Sequence, residues 1–187
     1  MNRFEVRPAC AADVPTIHAL IAELALYEKE PEAFVLSQED LLKHGFGQTP
    51  PLFEVCVADG GAEGLLGMAM VYTKYSSWRG PCLFLEDLVV REPYRRLGVG
   101  KALLTEVLTL AANRGMDRVE WMVLDWNEPA HAFYRAMGAE LLREWWPYRV
   151  SGSALAAYRR GPTFDNQQFR PCWYSSLAGR RFKMPRD

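Results

Sequence analysis

The residues best suited to chemistry form one stretch, Arg95-Arg96-Leu97-Gly98-Val99-Gly100-Lys101, which sets three cations and two glycines just ahead of an apolar run. Glycines in the first turn of a helix leave its free backbone N–H groups open to a ligand at the positive end of the helix dipole. With Arg95, Arg96 and Lys101 around it, such a turn is an anion cradle suited to a phosphate. Two phosphate loops do not fit it. A Walker A loop needs glycine at position 95 and Ser or Thr after the lysine, where this chain has Arg95 and Ala102. A dinucleotide fingerprint needs a third glycine near position 103, which is Leu103. A tight turn with solvated arginines would use the same residues, so the neighbouring elements have to decide.

Those elements are a strand, a stop and a helix. Cys82 to Val90 is apolar apart from Glu86 and Asp87 and ends in β-branched residues, the pattern of a strand covered on both faces. Pro93 ends it, and Ala102, Leu103, Leu104, Val107, Leu108, Leu110 and Ala111 then recur at helical spacing, so a helix is expected from near Leu97. Upstream, Phe4 to Arg7 alternates like a short strand, and Asp13 offers an N-cap to a helix bearing Ile17, Leu20, Ile21 and Leu24 that ends near Tyr27. Ser37 with Asp40 resembles a capping motif for a second short helix ending at Gly45-Phe46-Gly47. Strands are expected over 53–58 and 65–75, with Gly67 marking a bulge or a close backbone approach. Short turns make these an antiparallel meander with the central strand, whereas the central strand, its helix and a strand over 119–124 form a crossover unit. Asn127 is an N-cap for residues 130–137, with Pro129 tolerated at the start and Gly138 suited to the end. Residues 140–150 supply further strand material broken at Pro147, and 153–158 a last helical turn. Beyond Gly161 the periodicity fails, so the chain reads as one domain, 1–160, with a loosely ordered extension, 161–187.

At 187 residues, 49% hydrophobic, with a formal net charge of −1, the chain can bury a core and has no blanket attraction to nucleic acid. Cys10, Cys56, Cys82 and Cys172 lack zinc or disulfide spacing, and His18, His44 and His131 are dispersed, so no metal is expected. No histidine is placed to activate Cys82 as a nucleophile. The uncharged run from Gly64 to Thr73 is about half of the roughly 20 residues a membrane span needs. Arg3, Glu5 and Arg7 interrupt the amino terminus where a signal peptide would be apolar, so a cytoplasmic location without a membrane partner is expected.

Arg95 to Gly100 matches at every fixed position the coenzyme loop Arg/Gln-x-x-Gly-x-Gly/Ala, so the chain resembles the GNAT superfamily of acyl-CoA-dependent N-acetyltransferases. Further blocks, Val6 to Ala9, Tyr27-Glu28, Gly45-Phe46-Gly47, Leu85-Glu86-Asp87, Trp126-Asn127-Glu128-Pro129 and Phe133-Tyr134, resemble the spermidine/spermine and thialysine branch, over roughly residues 3–160. The resemblance implies an α/β (α+β) GNAT fold, a twisted, mostly antiparallel sheet with helices on both faces and a parallel strand pair splayed around acetyl-CoA. It implies that Leu88, Val89 and Val90 present backbone groups to acetyl-CoA, that Arg95, Arg96, Leu97, Gly98, Val99, Gly100 and Lys101 form the pyrophosphate loop, and that Asn127, Glu128, Pro129 and Ala130 flank the pantetheine arm. Tyr134 would be the general acid, and Glu86 would accept the amine proton through water. Tyr27, Glu28, Glu86, Asp87, Glu120, Trp121, Met122 and Glu144 would line the acceptor pocket, in a homodimer.

The chemistry asks for these residue types. An aliphatic amine must lose a proton before it attacks a thioester, and burial should raise the Glu86 pKa towards that of a working base. A phenol can protonate the thiolate as it leaves. Plainer roles use the same residues: Glu86 and Asp87 as edge carboxylates sent to opposite faces by strand alternation, and Tyr134 as a core aromatic. Lys29, in Lys29-Glu30-Pro31-Glu32, interrupts an acidic cluster that would welcome a polycation, and Trp145-Trp146-Pro147 blurs the register of Glu144. The function expected is acetyl transfer to a small di- or polyamine or a lysine-like amino acid. Acetylation of a protein amino group, an aminoglycoside or another amino acid, and non-catalytic acyl-CoA binding, stay open beside it.

Overall fold

The apolar runs of the sequence form one five-stranded sheet in the computed structural model, which describes residues 4–159. The strands are β1 (Glu5–Pro8), β2 (Glu54–Asp59), β3 (Leu65–Ser76), β4 (Gly80–Val90) and β5 (Val119–Glu120), lying side by side in chain order. β1 to β4 pair antiparallel, as strands joined by short turns can, and β4 with β5 is parallel, which requires the crossover made by the helix at Val99–Asn113. In chain order the helices are α1 (Val14–Tyr27), α2 (Gln38–Leu41, continued by a π-type turn at Leu42–Phe46), α3 (Val99–Asn113), α4 (Glu128–Ala136) and α5 (Gly152–Ala156). The chain divides into two compact units, Met1–Ala139 with the sheet and α1 to α4, and Glu140–Asp187.

Helices cover both faces of the sheet. On one face Ala58, Leu66, Ala69, Val71, Leu83 and Leu85 pack with Val99, Leu103, Leu104, Val107 and Ala111 of α3. On the other, Val55, Val57, Leu65, Met68, Met70 and Val89 pack with Val14, Ile17 and Leu20 of α1 and Leu41 of α2. Gly67 is both things its position suggests: β2–β3 pairing slips a register beside it, and a Cβ built there would fall 2.4 Å from the Val89 carbonyl oxygen. The Ser37 capping box forms as expected, Ser37 Oγ accepting from Asp40 N–H at 3.1 Å and Asp40 Oδ2 accepting from Ser37 N–H at 3.2 Å.

Three expectations are corrected. Asp13 does not cap α1 with its side chain: a 3₁₀ turn at Ala11–Asp13 intervenes, and the carboxylate accepts from Cys10 N–H at 2.8 Å and from both terminal nitrogens of Arg7 at 2.8 and 2.9 Å. The fifth strand stops at Glu120 instead of running to Leu124, because its ladder with β4 ends there and alternation without a partner makes no strand. In the second unit the described residues, 140–159, contain α5 and no strand. Leu141-Leu142 and Trp145-Trp146 come in adjacent pairs, and Pro147 has no N–H for a ladder. The extension 161–187 lies outside the described residues.

Candidate active site

The site begins where β4 loses a neighbour. Its parallel pairing consists of Leu83 with Val119 and Phe84 with Glu120, and beyond that point no described strand lies on its β5 side. One residue later the pairing with β3 slips: Val71 faces Leu85 and Met70 faces Asp87, leaving Glu86 unpaired in a bulge. The bulge swaps the faces of the strand, since Leu83 and Leu85 belong to the α3 core whereas Val89 belongs to the α1 core. Asp87, two residues before Val89 and opposite Met70, is thereby turned to the α1 face. Strict alternation, which sends Glu86 and Asp87 to opposite faces, does not survive this extra residue.

The two carboxylates differ in surroundings. Glu86 is exposed, so the burial expected to tune it is absent. Asp87 is half-buried, and burial first, then the charges of Glu86 and Glu28, push its pKa up to about 7. Glu28, the C-cap residue of α1, is itself raised by burial. Three carboxylates thus share the opened edge, with Asp87 poised between its two states near neutral pH.

The start of α4 is fixed by Asn127, whose Oδ1 accepts from Ala130 N–H at 3.3 Å, with Pro129 in the first turn where a missing N–H costs nothing. Phe133, Tyr134 and Met137 pack from α4 against the α3 core. The Tyr134 ring lies 4.8 Å from Trp121 and 5.1 Å from Phe133, and burial and the Asp87 charge push its pKa up to about 12. Its hydroxyl therefore keeps its proton at neutral pH, where the Asp87 carboxyl is divided between its two states.

At the start of α3, Gly98 is the N-cap at φ +87°, a conformation glycine adopts freely, and nothing lies within 4 Å of a Cβ built there. The first i→i−4 bond of the helix runs from Ala102 N–H to the Gly98 carbonyl at 2.9 Å, so the amides of Val99, Gly100 and Lys101 precede it without an intrahelical acceptor. Val99 is buried and offers only its N–H; Arg96, Leu97 and Lys101 are exposed around the turn. Open space over glycine, free amides and cations fit the diphosphate of a coenzyme A. Arg95 points elsewhere: its Nε donates to the Val90 carbonyl at 3.0 Å and its guanidinium stands 5.2 Å from the Tyr27 ring centroid. Because Val90 C=O faces away from β3 while Arg91 N–H donates to Leu66 O at 2.9 Å, alternation puts the backbone groups of Leu88 and Val90 on the open side. The Val89 carbonyl turns towards Gly67 instead.

Of the expected pocket residues, Tyr27, Glu28, Asp87 and Trp121 come together around this edge. The Tyr27 hydroxyl donates to Asn127 Oδ1 at 3.1 Å, joining the end of α1 to the cap of α4. Glu120 is held by Lys74 at 2.6 Å and Arg118 at 3.3 Å, which neutralises it, and Met122 is exposed. Glu144 is in the second unit, and Glu128 and Pro129 are exposed in the first turn of α4. Two residues noted in the sequence but given no place in the pocket also stand at this edge: Trp126, 5.8 Å from the Tyr27 ring, and Lys29, whose Nζ lies 4.7 Å from the Trp126 ring centroid. The signal was present as an aromatic beside an N-cap and a cation within an acidic run. Among the described residues no cluster of three His, Cys, Asp or Glu side chains is placed to hold a metal, and no helix is long and apolar enough to cross a membrane.

A mostly antiparallel sheet opened between one parallel pair, with a glycine-led helix at the opening, is the fold of solved acetyltransferases. It aligns with an aminoglycoside acetyltransferase from an uncultured soil metagenomic sample (TM-score 0.66, 22% identity, 80% of this chain and 98% of that one) and with an integron cassette protein from V. cholerae (TM-score 0.68, 23% identity, 84% and 97%). Residues 17–139 match the acetyltransferase (GNAT) family, and the chain belongs to that family of N-acetyltransferases. It is 36% identical to the thialysine N-epsilon-acetyltransferase of Bos taurus over 80% of this chain and 94% of that protein. It is 32% identical to an L-ornithine N5-acetyltransferase of Arabidopsis thaliana over 81% and 86%.

Proposed function

We propose that the protein transfers acetyl from acetyl-CoA to the primary amine of a lysine-like amino acid or a small di- or polyamine, by direct attack in a ternary complex. The observation that carries this reading is the neighbouring pair at the opened edge, Asp87 with a pKa of about 7 and Tyr134 with one of about 12. Such a pair is a base that titrates near neutral pH and an acid that retains its proton there. The names of the relatives, a thialysine and an ornithine acetyltransferase, support the acceptor class.

Bound acetyl-CoA supplies an activated thioester. Arg96 to Lys101 would hold its diphosphate, and Leu88, Val90 and Asn127 to Ala130 its pantetheine arm. The acceptor amine arrives as a cation, drawn by Glu28 and Glu86, and Asp87 takes its proton directly or through one water. Sequence reasoning assigns the base to Glu86; the exposure of Glu86 and the burial of Asp87 favour Asp87, with Glu86 as the outer carboxylate. Tyr134 holds a proton on Oη for the departing sulfur. A homodimer and a cytoplasmic location are carried over from the family resemblance and the sequence, and light scattering checks the first.

Thiol release from acetyl-CoA mixed with thialysine, ornithine, spermidine and an aminoglycoside tests the reading. Turnover with the small aliphatic amines is expected. Coenzyme A uptake by calorimetry without turnover of any amine would leave a binding module in its place.

A further inference from the structure

Lys29 stands where glycine would be the easy choice. Glu28 is the C-cap residue of α1, and the bonds from Lys29 N–H to Leu26 O at 3.2 Å and from Glu30 N–H to Ala25 O at 2.9 Å complete a Schellman turn. That turn puts Lys29 at φ +66°, a left-handed conformation that glycine enters freely and a lysine does not. The chain therefore keeps a side chain at a position whose backbone favours having none. That side chain has a seat: Nζ lies 4.7 Å from the centroid of the Trp126 indole, within cation–π range. Trp126 precedes Asn127, the cap of α4, and packs 5.8 Å from Tyr27, whose hydroxyl holds Asn127. The ammonium is thus fixed between the end of α1, which carries Glu28, and the start of the helix that carries Tyr134.

Charges of both signs meet at this mouth. Glu28 and Glu86 add their charge to that of Asp87, and two cations stand at the end of α1: Lys29, next in sequence to Glu28 and seated on Trp126, and Arg95, 5.2 Å from the Tyr27 ring. An acceptor enters amine first, because the carboxylates attract that end. Its far end then meets cations. A second ammonium is repelled there and a carboxylate is paired. We infer that Lys29 is a specificity-determining residue, selecting acceptors that carry a carboxylate besides the reacting amine over di- and polyamines. This inference rests on the proposed amine acetylation and narrows it.

L-Ornithine and 1,4-diaminobutane differ only in the carboxylate, so the ratio of their kcat/KM values isolates the response to that group. Wild type is expected to favour ornithine. Lys29→Gln should lower the ratio by about tenfold, the order of one charge-assisted contact, mainly through a higher KM for ornithine. Lys29→Glu should reverse the preference. Lys29→Gly, which relaxes the left-handed turn, should lower the ratio as far as Lys29→Gln with an equal or higher Tm, which separates loss of the ammonium from damage to the fold. A ratio unchanged in all three variants, or a wild type that acetylates diaminobutane as well as ornithine, overturns the role of Lys29 and leaves amine acetylation standing. Turnover of neither acceptor, nor of thialysine or spermidine, overturns both.

Discussion

Before Glu86, β4 is a core strand with a neighbour on each side: Leu83 and Leu85 are buried against α3, and Leu83 and Phe84 pair with both β3 and β5. After Glu86 the odd-numbered residues face α1, the β5 side is open, and a half-buried carboxylate takes the place of a leucine. One unpaired residue separates the two regimes. The difference teaches how a sheet holds a carboxyl that titrates near neutral pH: it is anchored by a ladder on one side and left accessible on the other. In the doubly paired half the same carboxylate would meet only apolar side chains and be driven to permanent neutrality.

The largest effect that would sharpen this contrast lies in the closed half. Leu83→Ala should cost about 2–5 kcal/mol of unfolding free energy, as fully buried leucines do, with the folded fraction retaining its acetylation rate. Denaturant melts beside kcat measure both. Tyr134→Phe should do the reverse, lowering kcat by about 10²-fold or more, near 2.7 kcal/mol of barrier, with an unaltered melt. Equal turnover in that variant would erase the distinction between the halves.

Asp87→Asn gives an intermediate effect with a pH signature. The folded carboxyl titrates near 7 against an ordinary 3.8, so between those values the folded protein holds a proton that the unfolded chain has released. Stability contributed by protonated Asp87 is full below about pH 4 and lost as pH rises through 7. The variant should accordingly gain Tm relative to wild type at pH 8 and little at pH 4. Its kcat/KM should fall by about tenfold to a hundredfold and lose the limb that rises through pH 7 as the base ionises. Glu86→Gln should keep that limb. If instead Glu86→Gln abolishes it, the proton goes to Glu86 and the bulge has another purpose.

What can be read from the sequence divides along the same line. The apolar run into β4, its stop at Pro93, the periodicity of α3 and the Asn127 cap are local patterns, and each is visible without knowing a partner. The bulge is not local: Glu86 is skipped because Val71 and Met70 on β3 take Leu85 and Asp87, a choice made by the ladder. The burial expected of Glu86 belongs instead to Asp87 because of this register shift, whereas the carboxylate pair itself is plain in the sequence. Trp121 to Leu124 alternates like a strand and stops short for the same reason, since only pairing reveals where β5 ends. Lys29 meets Trp126 across most of the first unit, and no spacing rule foretells that contact.

Arg96 offers the smallest and most discriminating change. It lies on the open half's continuation into the α3 turn, exposed, at φ +61°, so its backbone is strained as Lys29's is. Arg96→Gly should relieve that strain and raise stability by roughly 0.5–1 kcal/mol, because glycine adopts the left-handed turn freely, less its own gain in unfolded-state freedom. The same change deletes a cation from the anion cradle and should raise KM for acetyl-CoA by about threefold to tenfold, with kcat little altered and the loss growing at low salt. Arg96→Ala should raise KM equally without the gain in stability. A protein that becomes both more stable and no weaker for coenzyme would mean that the amides of Val99, Gly100 and Lys101 suffice for the diphosphate. The open half would then owe its ligand to backbone geometry, with the surrounding cations acting at longer range.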